Sequence, residues 1–74
     1  MAKKGDTGVY RVTEVIGTST NSWEDAARNA VQTAASTLRS LRIAEVTKLG
    51  VRLDDAGKVV QFRARVSLSF KYEG

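Results

Sequence analysis

One segment near the C-terminus, residues 60–72, alternates strictly between apolar and polar side chains. Successive side chains of a strand point to opposite faces, so this pattern predicts a long strand with one core face and one polar face. A strand of this length spans roughly 40 Å, which is more than one helix of so small a domain can cover. Part of the strand is therefore expected to contact something outside the chain. The predicted core face consists of Val60, Phe62, Ala64, Val66, Leu68, Phe70 and Tyr72.

The chain is short, and it has neither cysteine nor histidine among its 74 residues. One domain of this size is marginally stable alone and usually needs disulfides, a metal or partner subunits. The composition excludes disulfides, thiolate metal sites and the commonest zinc ligand. It also removes the usual general base and leaves the serines without one, so an enzyme is not expected. Oligomerisation or a carboxylate-bound hard cation remains as the stabilising device.

The distribution of charged and apolar residues limits the kinds of partner that the chain is expected to bind. No apolar run approaches the 18 or so residues of a membrane span, and the N-terminus lacks the apolar core of a signal peptide, so we expect a cytoplasmic protein with no membrane role. The net charge of +4 makes a basic module that binds nucleic acid or another polyanion the alternative function. Arg63, Arg65 and Lys71 share the polar face of the last strand. Aromatic residues are absent from that face of the strand, so nucleic acid is not the expected partner.

The order of elements is read as β-α-β-β, an α+β fold with a three-stranded antiparallel sheet packed around one helix. Residues 1–8 are expected to form a loose tail, and residues 9–74 one domain. Residues 9–16 predict the first strand, which Gly17 ends. Residues 43–53 predict the second strand, and the turn at 54–57, with glycine placed for positive φ, makes a hairpin with the third.

A helix is predicted after a turn cluster at residues 18–21. Ser22 and Asp25 form a variant of the capping box, and Asp25 and Glu24 suit the positive end of the helix dipole. An alanine-rich stripe at spacings of three and four predicts a helix that approaches the sheet closely. The stripe consists of Trp23, Ala27, Ala30, Ala34, Leu38 and Leu41.

Two glutamates interrupt strands that are otherwise mostly apolar. Glu14 lies in the first strand, and Glu45 shares the parity of Ile43 and Leu49 in the second, unless a bulge near residues 48–50 shifts the register. A carboxylate in such a position needs a partner or a cation, so a salt bridge, plain exposure and a shared Ca²⁺ or Mg²⁺ site all remain open. Glu24 and Asp25, beside the Ser/Thr-rich turn, are alternative ligands. Oxygen ligands favour these hard ions over zinc or copper.

Several segments resemble the dodecins, a family of small proteins: residues 12–19, residues 37–41, the pair Glu45 and Val46, and residues 70–73. The similarity extends over nearly the whole chain after the tail. It implies a β-α-β-β chain that assembles into a hollow homo-dodecamer of cubic symmetry. It also implies a storage or buffering protein rather than an enzyme, with a small-molecule ligand, because many dodecins bind flavins and some bind coenzyme A.

Two positions depart from the pattern of the flavin-binding dodecins. Those proteins carry a Trp soon after the helix, which stacks on the isoalloxazine ring, and a Gln on the last strand, which hydrogen-bonds the ring edge. The corresponding positions are Ile43 and Arg63. An aliphatic side chain supplies no aromatic stack, and an arginine accepts no hydrogen bond, so tight flavin binding is not expected.

A closer resemblance is to the calcium dodecin subgroup, through residues 18–19, 22–24, 26–27, 30–32, 42–44, 56–58 and 69–71. This similarity implies a dodecamer that binds calcium in a site distinct from the flavin pocket. The residues that would ligate the ion remain the candidates named above.

Overall fold

The computed structural model describes residues 8–71. Its elements are β1 (Tyr10–Ser19), α1 (Trp23–Thr37), β2 (Leu41–Leu53) and β3 (Val59–Lys71). Strand β3 lies in the middle of an antiparallel sheet of order β1-β3-β2. The predicted β-α-β-β fold is confirmed. Most of the predicted tail, residues 1–7, and the expected end of the last strand at Tyr72 lie outside the described residues.

The core is small and lies between α1 and the middle of β3. Ser22 begins the helix as predicted, because its side chain accepts a hydrogen bond from the backbone N–H of Asp25 at 3.0 Å. Alanines dominate the buried side of the helix, so it packs close to the sheet. The buried apolar residues are Ala26, Ala30, Ala34, Ala64, Val66, Leu68 and Phe70.

The predicted apolar stripe is wrong at three places. Ala26 is fully buried, although the stripe omitted it. Leu38 is the helix C-cap in an extended conformation (φ −115°, ψ 143°) and is 40% exposed. Leu41 belongs to β2 rather than to the helix. The helix ends about one turn earlier than the stripe implied, so Leu38 is exposed, whereas Leu41 packs against the core from β2.

Gly17 does not end the first strand, as the sequence had suggested, but lies inside β1, which continues to Ser19. A Cβ atom at this position would collide with the backbone oxygen of Ala26 and come within 2.7 Å of the Ala30 Cβ. The absence of a side chain is therefore a packing requirement. It lets the backbone of α1 rest directly on β1.

Strand β2 contains the irregularity that the parity of Glu45 suggested. Val46 pairs with Val66 of β3, and Lys48 pairs with Arg65, so Thr47 is an extra residue at a bulge. Before the bulge, Val46 lies on the helix side of the sheet. Beyond it, Lys48 lies on the opposite side, as Glu45 does. The apparent burial of Glu45 therefore disappears once the bulge is counted.

Helix α1 is too short to cover the sheet. Its 15 residues span about 22 Å, whereas the 13 residues of β3 span about 43 Å. The β2–β3 hairpin therefore projects beyond the helix, and every residue of β2 after Leu41 is exposed. No helix in residues 8–71 is long and apolar enough to cross a membrane.

The projecting hairpin is held by contacts near the helix and by hydrogen bonds within its turn. Near the helix, the indole of Trp23 packs edge-on against Phe62 with ring centroids 5.3 Å apart, and it donates a hydrogen bond to the Gly50 carbonyl at 2.9 Å. At the tip, the Asp54 carboxylate accepts bonds from two backbone N–H groups, at 2.8 and 2.9 Å. Gly57 has the predicted positive φ, at 82°. Trp23 thus fastens the hairpin to the start of α1.

Candidate cation and ligand sites

The sheet has an outer face, turned away from α1, on which side chains of the three strands stand in rows. Directly paired residues share a face, so each row holds one residue from each strand. One row consists of Glu14, Ser67 and Glu45. The two glutamates that sequence analysis selected are therefore brought onto the same face and the same row, on either side of a serine.

The geometry of this acidic row suits a cation only in part. Neighbouring strands lie about 4.8 Å apart, so the backbones of Glu14 and Glu45 are about 10 Å apart across Ser67. Within residues 8–71 there is no cluster of three or more acidic side chains able to hold a metal. Calcium takes six to eight oxygen ligands, so water or a second copy of the chain would have to complete the shell.

The other two candidate ligands lie far from this row, at the start of α1. The Asp25 carboxylate accepts a hydrogen bond from the Ser19 hydroxyl at 2.7 Å and pairs with Arg28 at 3.4 Å. Both of its oxygens are thereby engaged in holding the helix start. Glu24 is exposed beside it, where its charge suits the helix dipole.

The two positions that the family resemblance aligned with flavin contacts, Ile43 and Arg63, both lie on the outer face. Ile43 pairs with Ser69, which is six positions after Arg63, so the two residues are roughly 20 Å apart along β3. One small ligand cannot touch both within one chain. A site that used both positions would need two copies. The Arg63 guanidinium lies 3.4 Å from the Gln61 side-chain oxygen, to which it donates a hydrogen bond.

A second group on the outer face is basic. Arg65 pairs with Lys48, and Arg63 stands one row further along the same face. Sequence analysis placed Arg63 and Arg65 together but missed Lys48, because only the bulge at Thr47 turns it to this side. The group surrounds a shallow hollow of about 220 Å³.

On the helix side, the uncovered part of β2 forms an apolar strip. Val46, Leu49 and Val51 pair with residues on the core side of β3, yet they are 51%, 57% and 39% exposed. Between this strip and α1 runs a groove of about 410 Å³, lined mainly by apolar side chains that include Ala27 and Val31. So much apolar surface on one strand is typical of a protein–protein contact.

Comparison with known proteins places this architecture. The sequence model of the Dodecin family matches residues 9–73. The calcium dodecin of Mycobacterium tuberculosis is 43% identical over 63 residues, which are 85% of this chain and 87% of that protein.

Solved structures agree with the sequence match. Dodecin from Streptomyces coelicolor superposes with a TM-score of 0.81 at 42% identity, over 89% of this chain and 93% of that one. A crystal structure of the Mycobacterium tuberculosis calcium dodecin, described as a calcium-chelating antigen with a novel calcium-binding site, gives 0.77 at 41% identity over the same shares. Dodecin from Streptomyces davaonensis gives 0.79 at 30% identity, over 89% of this chain and 96% of that one. The chain therefore belongs to the dodecin family.

Proposed function

We propose that this chain is a cytoplasmic, dodecameric storage or binding protein that holds calcium and is not an enzyme. The observation that carries the proposal is the row of Glu14, Ser67 and Glu45 on the outer face, in a chain 43% identical to a calcium dodecin. Carboxylate and hydroxyl oxygens are the ligands that calcium prefers. The chain supplies no thiolate or imidazole ligand for a softer metal.

The open geometry of the acidic row favours a site between subunits. One chain offers two carboxylates and one hydroxyl, which leaves most of a calcium shell unfilled. A second copy would add its own oxygens if the two outer faces met at this row. Calcium bound in that way links subunits, so its binding energy stabilises the assembly as well as the chain.

The proposal is tested by the effect of calcium on thermal unfolding. With calcium at a hundredfold excess over its dissociation constant, we expect a stabilisation of about 2.7 kcal/mol, seen as a rise of several degrees in the unfolding midpoint and reversed by chelator. Glu14→Gln and Glu45→Gln should each abolish the rise, because each removes a charged ligand. Differential scanning calorimetry with and without chelator measures it.

The control is Asp55→Asn, which removes an exposed carboxylate from the hairpin turn and should leave the calcium effect intact. Loss of the effect in Glu24→Gln or Asp25→Asn, but not in the strand variants, would move the site to the helix start. If calcium and chelator leave the midpoint of the unmodified protein unchanged, the cation proposal fails.

Flavin is not expected to be the stored ligand. Ile43 offers no ring to stack on isoalloxazine, and Arg63 offers donors where the family has an amide. Titration of riboflavin with the protein should therefore leave flavin fluorescence unquenched, whereas quenching at submicromolar protein would contradict this prediction. The double variant Ile43→Trp with Arg63→Gln restores both groups and is the matched test for gain of quenching.

A further inference from the structure

A hollow on the outer face collects positive charge, with the Glu14 carboxylate in the neighbouring row beside Arg65. We call it the basic hollow; it has a volume of about 220 Å³ and is lined by Ile16, Lys48, Leu49, Gly50, Arg63 and Arg65. Within residues 8–71 the single ion pair joins Arg28 to Asp25, so the three cations of the hollow lack a carboxylate at ion-pair distance. The nearest acidic residues of the face stand in the neighbouring row.

The arrangement of these cations is unfavourable on its own. Lys48 and Arg65 face one another directly across β2 and β3, and like charges in that position destabilise a sheet. The bulge at Thr47 produces this pair. Without the bulge, Thr47 would pair with Arg65 and Lys48 would face the helix side. An anion bound between the two side chains would convert their repulsion into two favourable contacts.

The hollow is also open and partly preformed. Gly50 contributes no side chain, and a Cβ built there would meet no atom within 4 Å. Arg63 is half-buried, and its guanidinium is oriented by the hydrogen bond to Gln61. The site therefore presents the guanidinium groups of Arg63 and Arg65 and the ammonium group of Lys48 around the open space beside Gly50.

We propose that the basic hollow binds the phosphate group of a small molecule. Guanidinium groups match phosphate oxygens in pairs, and a lysine adds a mobile point charge. The volume is below the 300 Å³ or so of a site that encloses a whole ligand. It suits one phosphate group. The organic part of the same ligand extends out of the hollow along the apolar side chain of Ile16. This assignment does not depend on calcium binding.

A nucleic acid fits the same surface less well. Within the described residues, Tyr10 is the one aromatic side chain on the outer face, and its row contains Lys71 rather than the cations of the hollow. Proteins that bind single strands use successive aromatic platforms along a basic groove. The hollow instead offers one compact cluster of charge.

The test is titration calorimetry on the assembled protein in chelator, at ionic strength fixed with sodium chloride, with inorganic phosphate and adenosine monophosphate as probes. We expect saturable binding of at least the monophosphate ester. Arg65→Gln and Lys48→Gln should each weaken it about tenfold, the loss expected for one charged hydrogen bond. Arg39→Gln, an exposed arginine after the helix with the same change in charge, should leave binding unchanged.

Thermal unfolding gives a second readout that separates binding from misfolding. Without phosphate, Lys48→Gln should raise the unfolding midpoint, because it relieves the repulsion with Arg65. With phosphate, the unmodified protein should gain stability and the variant should gain less. Absence of binding by both probes, equal binding by all variants, or binding of a DNA oligonucleotide alone would each overturn the proposal.

Discussion

Gly17→Ala is expected to destabilise the chain by about 3 kcal/mol, at the upper end of the range for overpacking in a core. The added methyl group would meet the backbone oxygen of Ala26 and the Cβ of Ala30, which lies 2.7 Å from its position. A backbone atom of a helix cannot rotate out of the way, so α1 must move off β1. Such a displacement loosens the contact on which much of this small core depends. Circular dichroism during denaturant unfolding measures the loss.

Gly50→Ala is the matched control, because it makes the same change in another strand of the same sheet. Its new Cβ would meet nothing within 4 Å. Alanine is also favoured over glycine inside a strand by about 0.5–1 kcal/mol, so this variant should be as stable as the unmodified chain or slightly more stable. Equal effects of the two substitutions would show that glycine flexibility, and not close packing, explains Gly17.

Gly17 and Gly57 show which features of a glycine can be predicted from its neighbours in the sequence. Gly17 followed by Thr and Ser resembles the end of a strand, and local propensity supports that interpretation. Its role instead depends on the packing of α1 against β1. The residues next to Gly17 in the sequence do not show that contact. The turn at Gly57 was predicted correctly, because the positive φ and the carboxylate of Asp54 act within a few residues.

The bulge at Thr47 illustrates a second limit. The parity of Glu45 suggested a bulge near residues 48–50 as one explanation, and the structure has a register shift between Val46 and Lys48. The consequence for Lys48 was not predicted, since a residue between the expected and the observed position of the bulge faces opposite sides of the sheet in the two cases. A basic hollow therefore becomes visible only when the pairing with β3 is known.

The two glutamates of the acidic row could be selected from the sequence alone. Glu14 and Glu45 stood out because charge interrupts apolar strands, and the sheet order then places both beside Ser67. In the proposed calcium site the remaining ligands would come from water or a second copy of the chain, and the sequence of one chain does not show how two copies meet. Ile43 and Arg63 lie roughly 20 Å apart along β3, so a small ligand that contacted both would need a second copy of the chain.

Val46→Lys is expected to break the assembly into smaller species. Light scattering coupled to size exclusion should give the unmodified protein a mass about twelve times that of the 8.0 kDa chain, as expected for a closed dodecamer. Val46 is 51% exposed on the apolar strip beside the groove to α1, a position suited to contact with a neighbouring subunit. Burial of such a side chain contributes about 1.5–3 kcal/mol, and a closed shell repeats the contact in every subunit.

The effect on assembly must be separated from an effect on folding. In the single chain Val46 is not part of the buried core, so a lysine there should leave the circular dichroism spectrum unchanged while the mass falls. Ala35→Lys places the same charge on an exposed helix position away from the strip and should remain assembled. A full-size particle formed by the Val46 variant would exclude the strip from the subunit contacts. A stable monomer or dimer of the unmodified chain at micromolar concentration would contradict the dodecamer itself, and the long β3 strand would then need another partner.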